Sequence, residues 1–109
     1  MNYGFVKTAV VTPKIKVAHV AHNGAEIERF MKEASKCGAK IIVFPELCLT
    51  GYTCGDLFSQ DLLVNSAKKE LIRLVKESRE ISGLFFVGLP WEHRGKLYNA
   101  AAAFEGGQL

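Results

Sequence analysis

The stretch Ile41–Phe58, "IIVFPELCLTGYTCGDLF", joins two kinds of sequence. Its first four residues are apolar and β-branched or aromatic, which reads as a strand. Lys40–Phe44 shows no polar alternation, so this strand is expected to be buried on both faces. Pro45 ends it and Glu46 follows at once. In open α/β sheets, ligands bind beyond the carboxyl ends of the strands, which is where this sequence places a carboxylate. Pro45 fixes its own φ and holds Glu46 on a rigid stub. Between Pro45 and Leu47 the carboxylate is expected to be partly withdrawn from water and suited to general-base work. An ordinary loop glutamate, exposed or paired with a lysine, fits the same residues, and the stretch alone leaves both readings open.

Outward from this stretch, helical and strand patterns alternate. Phe5–Val11 is a short strand-like run that Thr12-Pro13 breaks. Ile15, Val17 and Val20 belong either to a second strand or to an extended loop. Asn23 with Glu26 three residues later has the form of a helix N-cap and capping box. Ile27, Phe30, Met31, Ala34 and Cys37 then predict one apolar helical face, with Cys37 in the core, and Gly38 closes the helix. A loop runs from Pro45 to about Ser59. Leu63, Ala67, Leu71, Leu74, Val75 and Ser78 mark a long amphipathic helix. Leu84–Pro90 reads as another strand buried on both faces. "HRGK" is turn chemistry, "LYNAAAAF" a strand despite its four alanines, and "EGGQ" a further turn.

The order is therefore β-α-β-α-β-β, an α/β layered fold. Ala100–Ala103 bury little area, so their strand needs close-packed neighbours. A hairpin turn just before Leu109 reads as a domain cut short.

Composition excludes several classes. The 109 residues carry 14 basic and 11 acidic side chains, net +3, with 49% hydrophobic residues. The charges are interspersed, as on solvated helix faces, and no basic stripe interleaved with aromatics suggests nucleic acid. No apolar run approaches membrane-spanning length and no signal peptide is evident, so a soluble cytoplasmic protein is expected. Three cysteines at uneven spacing do not form a disulfide framework. His19 and His22 lack companion ligands, so no metal site is expected. Cys48 and Cys54 lack a local base or cation that would make either a nucleophile. Asp61 suits a helix N-terminus and Asp56 a loop. Tyr52, flanked by glycine in the loop beyond Glu46, either closes a pocket or packs beneath the loop.

The same residues carry a resemblance. The portion from Gly38 to Tyr52, "GAKIIVFPELCLTGY", looks like the glutamate motif of the nitrilase (carbon–nitrogen hydrolase) superfamily. The continuation "TCGDLF", followed by "GLPWEHRGKLYNAAAAFEGGQL", resembles more narrowly the glutaminase domains of glutamine-dependent NAD+ synthetases. The resemblance runs over essentially the whole chain. It implies a four-layer αββα sandwich, of which residues 1–109 are the N-terminal part. It implies a Glu–Lys–Cys active site in which Glu46 is the general base, and it places Tyr52 where a family tyrosine helps shape the glutamine pocket. The family lysine and the nucleophilic cysteine match no residue here, and Cys37, Cys48 and Cys54 do not inherit the nucleophile's role.

The substrate implied is glutamine, whose ammonia would convert deamido-NAD+ to NAD+ in a synthetase domain. No cofactor is implied within this segment. ATP and Mg2+ are implied for the synthetase domain, and a homo-oligomer for the complete enzyme. Two other readings stand beside this one: a nitrilase-superfamily amidase or carbamoylase, and a non-catalytic α/β module that binds partners through an open sheet edge.

Overall fold

The computed structural model describes residues 4–17, 19–50 and 61–109. The elements are β1 (Thr8–Val10), α1 (Val20–Lys36), β2 (Ile41–Val43), α2 (Asp61–Glu77), β3 (Leu84–His93) and β4 (Lys96–Phe104). They form a four-stranded sheet in the order β1-β2-β3-β4. β1 and β2 pair in parallel, as do β2 and β3, while β3 and β4 form an antiparallel hairpin. The α/β order read from the sequence is the order observed.

The hairpin turns at Arg94 and Gly95, both with positive φ, 52° and 77°. Positive φ at both central positions is what a tight hairpin turn between twisted strands requires. Residues 12–16 form a loop and not a second strand. β1 is shorter than the apolar run that contains it, because β2 offers only Ile41–Val43 as partners. Phe5 and Val6, beyond that pairing, are exposed.

α1 begins four residues earlier than the capping-box pattern places it. His19 is the N-cap, its Nδ1 accepting from the His22 amide at 3.2 Å. Asn23 is unavailable as a cap because its side chain is fully buried and used elsewhere. Its Oδ1 accepts from the Lys16 amide at 2.7 Å, and its Nδ2 donates to Lys16 O at 2.8 Å and Leu49 O at 3.0 Å. One amide side chain thus ties the loop after β1 to the loop after β2.

At its other end, α1 closes as expected. Gly38 has φ 88°, its amide donates to Ser35 O, and the Ala39 amide donates to Ala34 O. This is a Schellman closure. Ile27 and Met31 are buried, with Phe30 and Ala34 packed at the core margin, but Cys37 is exposed. Ten residues beyond Ile27, Cys37 lies about 80° around the helix from it, off the apolar face.

α2 buries Leu63, Ala67, Leu71 and Leu74 as the periodicity predicts. Ser78, just past its end, is also buried; its Oγ donates to Val75 O at 2.5 Å and accepts from the Gly107 amide at 2.8 Å. The helices approach closely at Gly24, where a Cβ would stand 2.5 Å from Glu70 Cγ. They are also bridged by Arg73, whose Nη1 donates to Glu28 Oε1 at 2.6 Å. The Arg73 hydrogen bond holds the Glu28 carboxyl below its ordinary range, against a smaller opposing effect of burial.

Both helices serve one face of the sheet. Ile42, Phe85, Val87, Leu89 and Phe104 are buried beneath them. The opposite face departs from the sequence expectation. Ile41, Val43, Leu84 and Phe86 are only half-buried, Val10 is 79% exposed, and Ala101 and Ala103 are exposed. The uninterrupted apolar runs of β2 and β3 imply cover on both sides. Among the described residues, only one side has it.

The Asn23 clamp makes a direct prediction. Asn23→Ala leaves the Lys16 amide and the Lys16 and Leu49 carbonyls without their partner. It is expected to lower unfolding free energy by about 2–4 kcal/mol, read by chemical denaturation. A loss within measurement error would show that the clamp holds nothing.

Candidate functional site

The candidate site begins where β2 ends. The Phe44 amide donates to Phe86 O at 2.9 Å, which carries the pairing with β3 one residue past the strand. Pro45 then lifts the chain across β3. The crossing falls on Gly88, where a Cβ would meet Leu47 N at 2.4 Å and Pro45 O at 2.7 Å. Gly88 alternates with Val87 and Leu89, whose side chains are buried under the helices, so the stub passes on the other, uncovered face. Leu47 has φ 50°. The left-handed region costs a branched, non-glycine residue on the order of 1 kcal/mol or more. That strain sits directly beside Glu46.

From Leu47 the chain returns to the core. Leu47 through Thr50 are buried. The Leu49 amide donates to Gly88 O at 3.2 Å and the Thr50 amide to Leu47 O at 3.2 Å. Leu49 O is the carbonyl that Asn23 holds. The segment is therefore pinned at Gly88 and at Asn23, and Glu46 projects from its crest.

Glu46 is exposed, and not partly withdrawn from water as its apolar neighbours suggest. The stub turns it onto the face that the described residues leave open. Among those residues no lysine or arginine pairs with it. Its Oε1 instead accepts a hydrogen bond from Asn99 Nδ2 on β4, at 2.5 Å. The two residues share an open cleft of about 470 Å³ with Val43, Phe44, Pro45, Phe86, Val87, Gly88, Ala100 and Ala101. Among the described residues, Glu46 is the only ionisable side chain lining it. An apolar floor with one carboxylate and one amide suits a small polar group held at a defined point.

The cysteines separate by environment. Cys48 is buried, and its Sγ donates to Gly88 O at 3.7 Å. Burial pushes its thiol up to about 11. It faces the core and is inert at neutral pH. Cys37 is exposed at the end of α1, away from the cleft. Cys54, Tyr52, Asp56, Gly51 and Gly55 lie outside the described residues. Asp61 is the first residue of α2, in keeping with its helix-start reading. His19 and His22 meet edge-on, ring centroids 5.7 Å apart. Among the described residues no group of three His, Cys, Asp or Glu is placed to hold a metal.

Sequence reasoning missed three residues of this site. Gly88 looks like an ordinary strand glycine, yet a glycine within a buried strand signals a close backbone approach. Asn99 is a lone amide just before four alanines, which is a detectable interruption. Asn23 reads in the sequence as a helix cap, its commonest local use.

Residues 7–109 match the family described as Carbon-nitrogen hydrolase, and the chain belongs to that family. Among its relatives is the glutamine-dependent NAD(+) synthetase of Mycobacterium tuberculosis, 34% identical over 108 residues. That alignment covers 99% of this chain but 16% of the relative, so the chain spans about a sixth of its length. The crystal structure of a glutamine-dependent NAD(+) synthetase from Cytophaga hutchinsonii superposes with a TM-score of 0.87 at 26% identity, over 94% of this chain and 17% of that one. An amidase from Nesterenkonia sp. shares the fold, with a TM-score of 0.77 at 21% identity, over 94% of this chain and 40% of the amidase. The fold is thus part of the nitrilase fold.

Two outcomes check this geometry. Gly88→Ala forces a Cβ against backbone that has no side-chain freedom to yield. It is expected to cost about 1–3 kcal/mol or more, measured by denaturation, and a neutral result would displace Gly88 from its role. Separately, a thiol reagent applied at neutral pH and mapped by peptide mass should label Cys37 and spare Cys48 until unfolding. Fast native labelling of Cys48 would contradict its burial.

Proposed function

We propose that this chain contributes the general base of a glutamine amidohydrolase, within an enzyme that uses the released ammonia to make NAD+ from deamido-NAD+. The single observation that supports this most is Glu46. Within a segment that matches the carbon–nitrogen hydrolase family, it stands on a rigid stub at the carboxyl end of a central parallel strand. The similarity to glutamine-dependent NAD(+) synthetases over 99% of the chain supports glutamine as the amide.

On this reading Glu46 takes the proton from a cysteine thiol elsewhere in the domain. The thiolate sulfur bonds to the amide carbon of glutamine, and a lysine stabilises the oxyanion. The carbon–nitrogen bond breaks, and the nitrogen leaves as ammonia with the proton that Glu46 had accepted. Glu46 then takes a proton from water, whose oxygen displaces the sulfur. Glutamate leaves and the thiol recovers its proton. Tyr52 helps shape the pocket for the glutamine side chain. ATP and Mg2+ would be held by a synthetase domain outside these residues and would supply the activation that the later amide-forming step needs.

On this reading residues 1–109 supply the base without the nucleophile: the family resemblance gives that role to none of Cys37, Cys48 and Cys54, and among the described residues Cys48 is buried and Cys37 stands away from the cleft. These residues alone are expected to hydrolyse no glutamine. The decisive experiment isolates the native polypeptide from its source, measures its intact mass, and assays ammonia release from glutamine. A mass far above 12.0 kDa, with activity lost in Glu46→Ala, supports the reading. Glu46-dependent ammonia release by the 109 residues alone would refute the division of labour. A native mass of 12.0 kDa without activity would favour a binding module that uses its open sheet edge.

A further inference from the structure

We infer that Asn99 is a positioning residue for Glu46: its side-chain amide pins Oε1 and so aims Oε2 into the cleft. The inference rests on the general-base reading of Glu46. It comes from a contact between residues 53 apart in sequence, on different elements, at 2.5 Å.

The chemistry fixes the direction of this bond. A carboxylate only accepts hydrogen bonds, so the amide must present its NH2 and not its oxygen. The donor is also neutral. A lysine or arginine at this point would form an ion pair and hold the carboxylate as a counter-ion. An amide holds it without adding charge and without competing for the proton that the base is to receive.

The sheet register explains why Asn99 is the residue that reaches. Asn99 pairs with Pro90, and two rungs along, Ala101 pairs with Gly88, the site of the crossing. Asn99, Ala101 and Ala103 share one face of β4. The two alanines are too short to reach the stub and carry no donor. Gly88 and Ala101 together leave low ground between the stub and β4, over which Glu46 extends to Asn99. An exposed glutamate without such a partner samples several rotamers at each of its torsions. Proton transfer needs one of them.

The test uses the native polypeptide and two substitutions. Asn99→Ala removes the donor; because Asn99 is exposed, it leaves no core cavity. Asn99→Asp keeps the shape but removes the donor and sets a second carboxylate against the first. Both are expected to lower kcat for glutamine hydrolysis about 10- to 100-fold, with KM for glutamine and the melting temperature unchanged. Asn99→Asp should be the more severe. A rise in KM at constant kcat would instead make Asn99 a substrate contact, and unchanged kinetics would make the bond incidental; either overturns the inference.

Crystal structures of the wild type and Asn99→Ala provide a readout that needs no activity. Glu46 should occupy one rotamer in the first and several in the second. An identical, single Glu46 rotamer in both would overturn the positioning role. Absence of glutamine hydrolysis in the wild-type polypeptide would sink the functional reading, while the crystallographic comparison would still decide what Asn99 does to Glu46.

Discussion

The passage of the Pro45–Leu47 backbone over Gly88 is the constraint on which the site depends. With Leu47 N at 2.4 Å from where a Cβ would be, no side chain fits at residue 88 without displacing main chain. The crossing puts Glu46 on the uncovered face and forces Leu47 into positive φ to bring the chain back. It also aligns the Leu49 amide and the Cys48 thiol on the same Gly88 carbonyl. Buried carbonyls rarely go without partners, and this one is satisfied by the segment that the missing side chain admits. Asn23 fastens the far end of that segment. A rigidly mounted carboxylate is thus produced by ordinary backbone hydrogen bonding around a single small residue.

Much of the fold was legible in the sequence. Continuous apolar runs at Lys40–Phe44 and Leu84–Pro90, helical stripes between them, and turn residues at "HRGK" and "EGGQ" gave the β-α-β-α-β-β order. Glu46 was legible too, through Pro45 and the end of a strand. What was not legible depends on long-range partners. Asn23 has the form of a cap until Leu49 arrives to occupy it. Cys37 fits the apolar stripe until the helical angle accumulated over ten residues takes it off the face. The apolar neighbours of Glu46 implied desolvation, but neighbours in sequence do not decide which side of a sheet a crossing takes.

The site sets rigid parts around one exposed carboxylate. The carboxylate is held from below by strained backbone and from the side by a neutral amide, and the cleft floor is apolar. Cys48, only two residues away, has its thiol turned into the core and kept protonated by burial. A thiol two residues from an exposed carboxylate is therefore no evidence of a nucleophile when a strand carbonyl and the core already claim it.

The antiparallel hairpin has a further consequence, for the order in which the molecule assembles. Its strands are joined by a turn at Arg94 and Gly95, and their pairing is local in sequence. Hairpins of this kind close in about 1–10 μs. The parallel pairings of β1 with β2 and β2 with β3 must each wait for a helix to be spanned, so their loop-closure entropy is paid later. Gly88 and Asn99 both belong to the hairpin. The surface that receives the stub and the amide that meets its carboxylate therefore share the most local pairing of the sheet, and the glutamate reaches them only through the long-range pairing of β2 with β3.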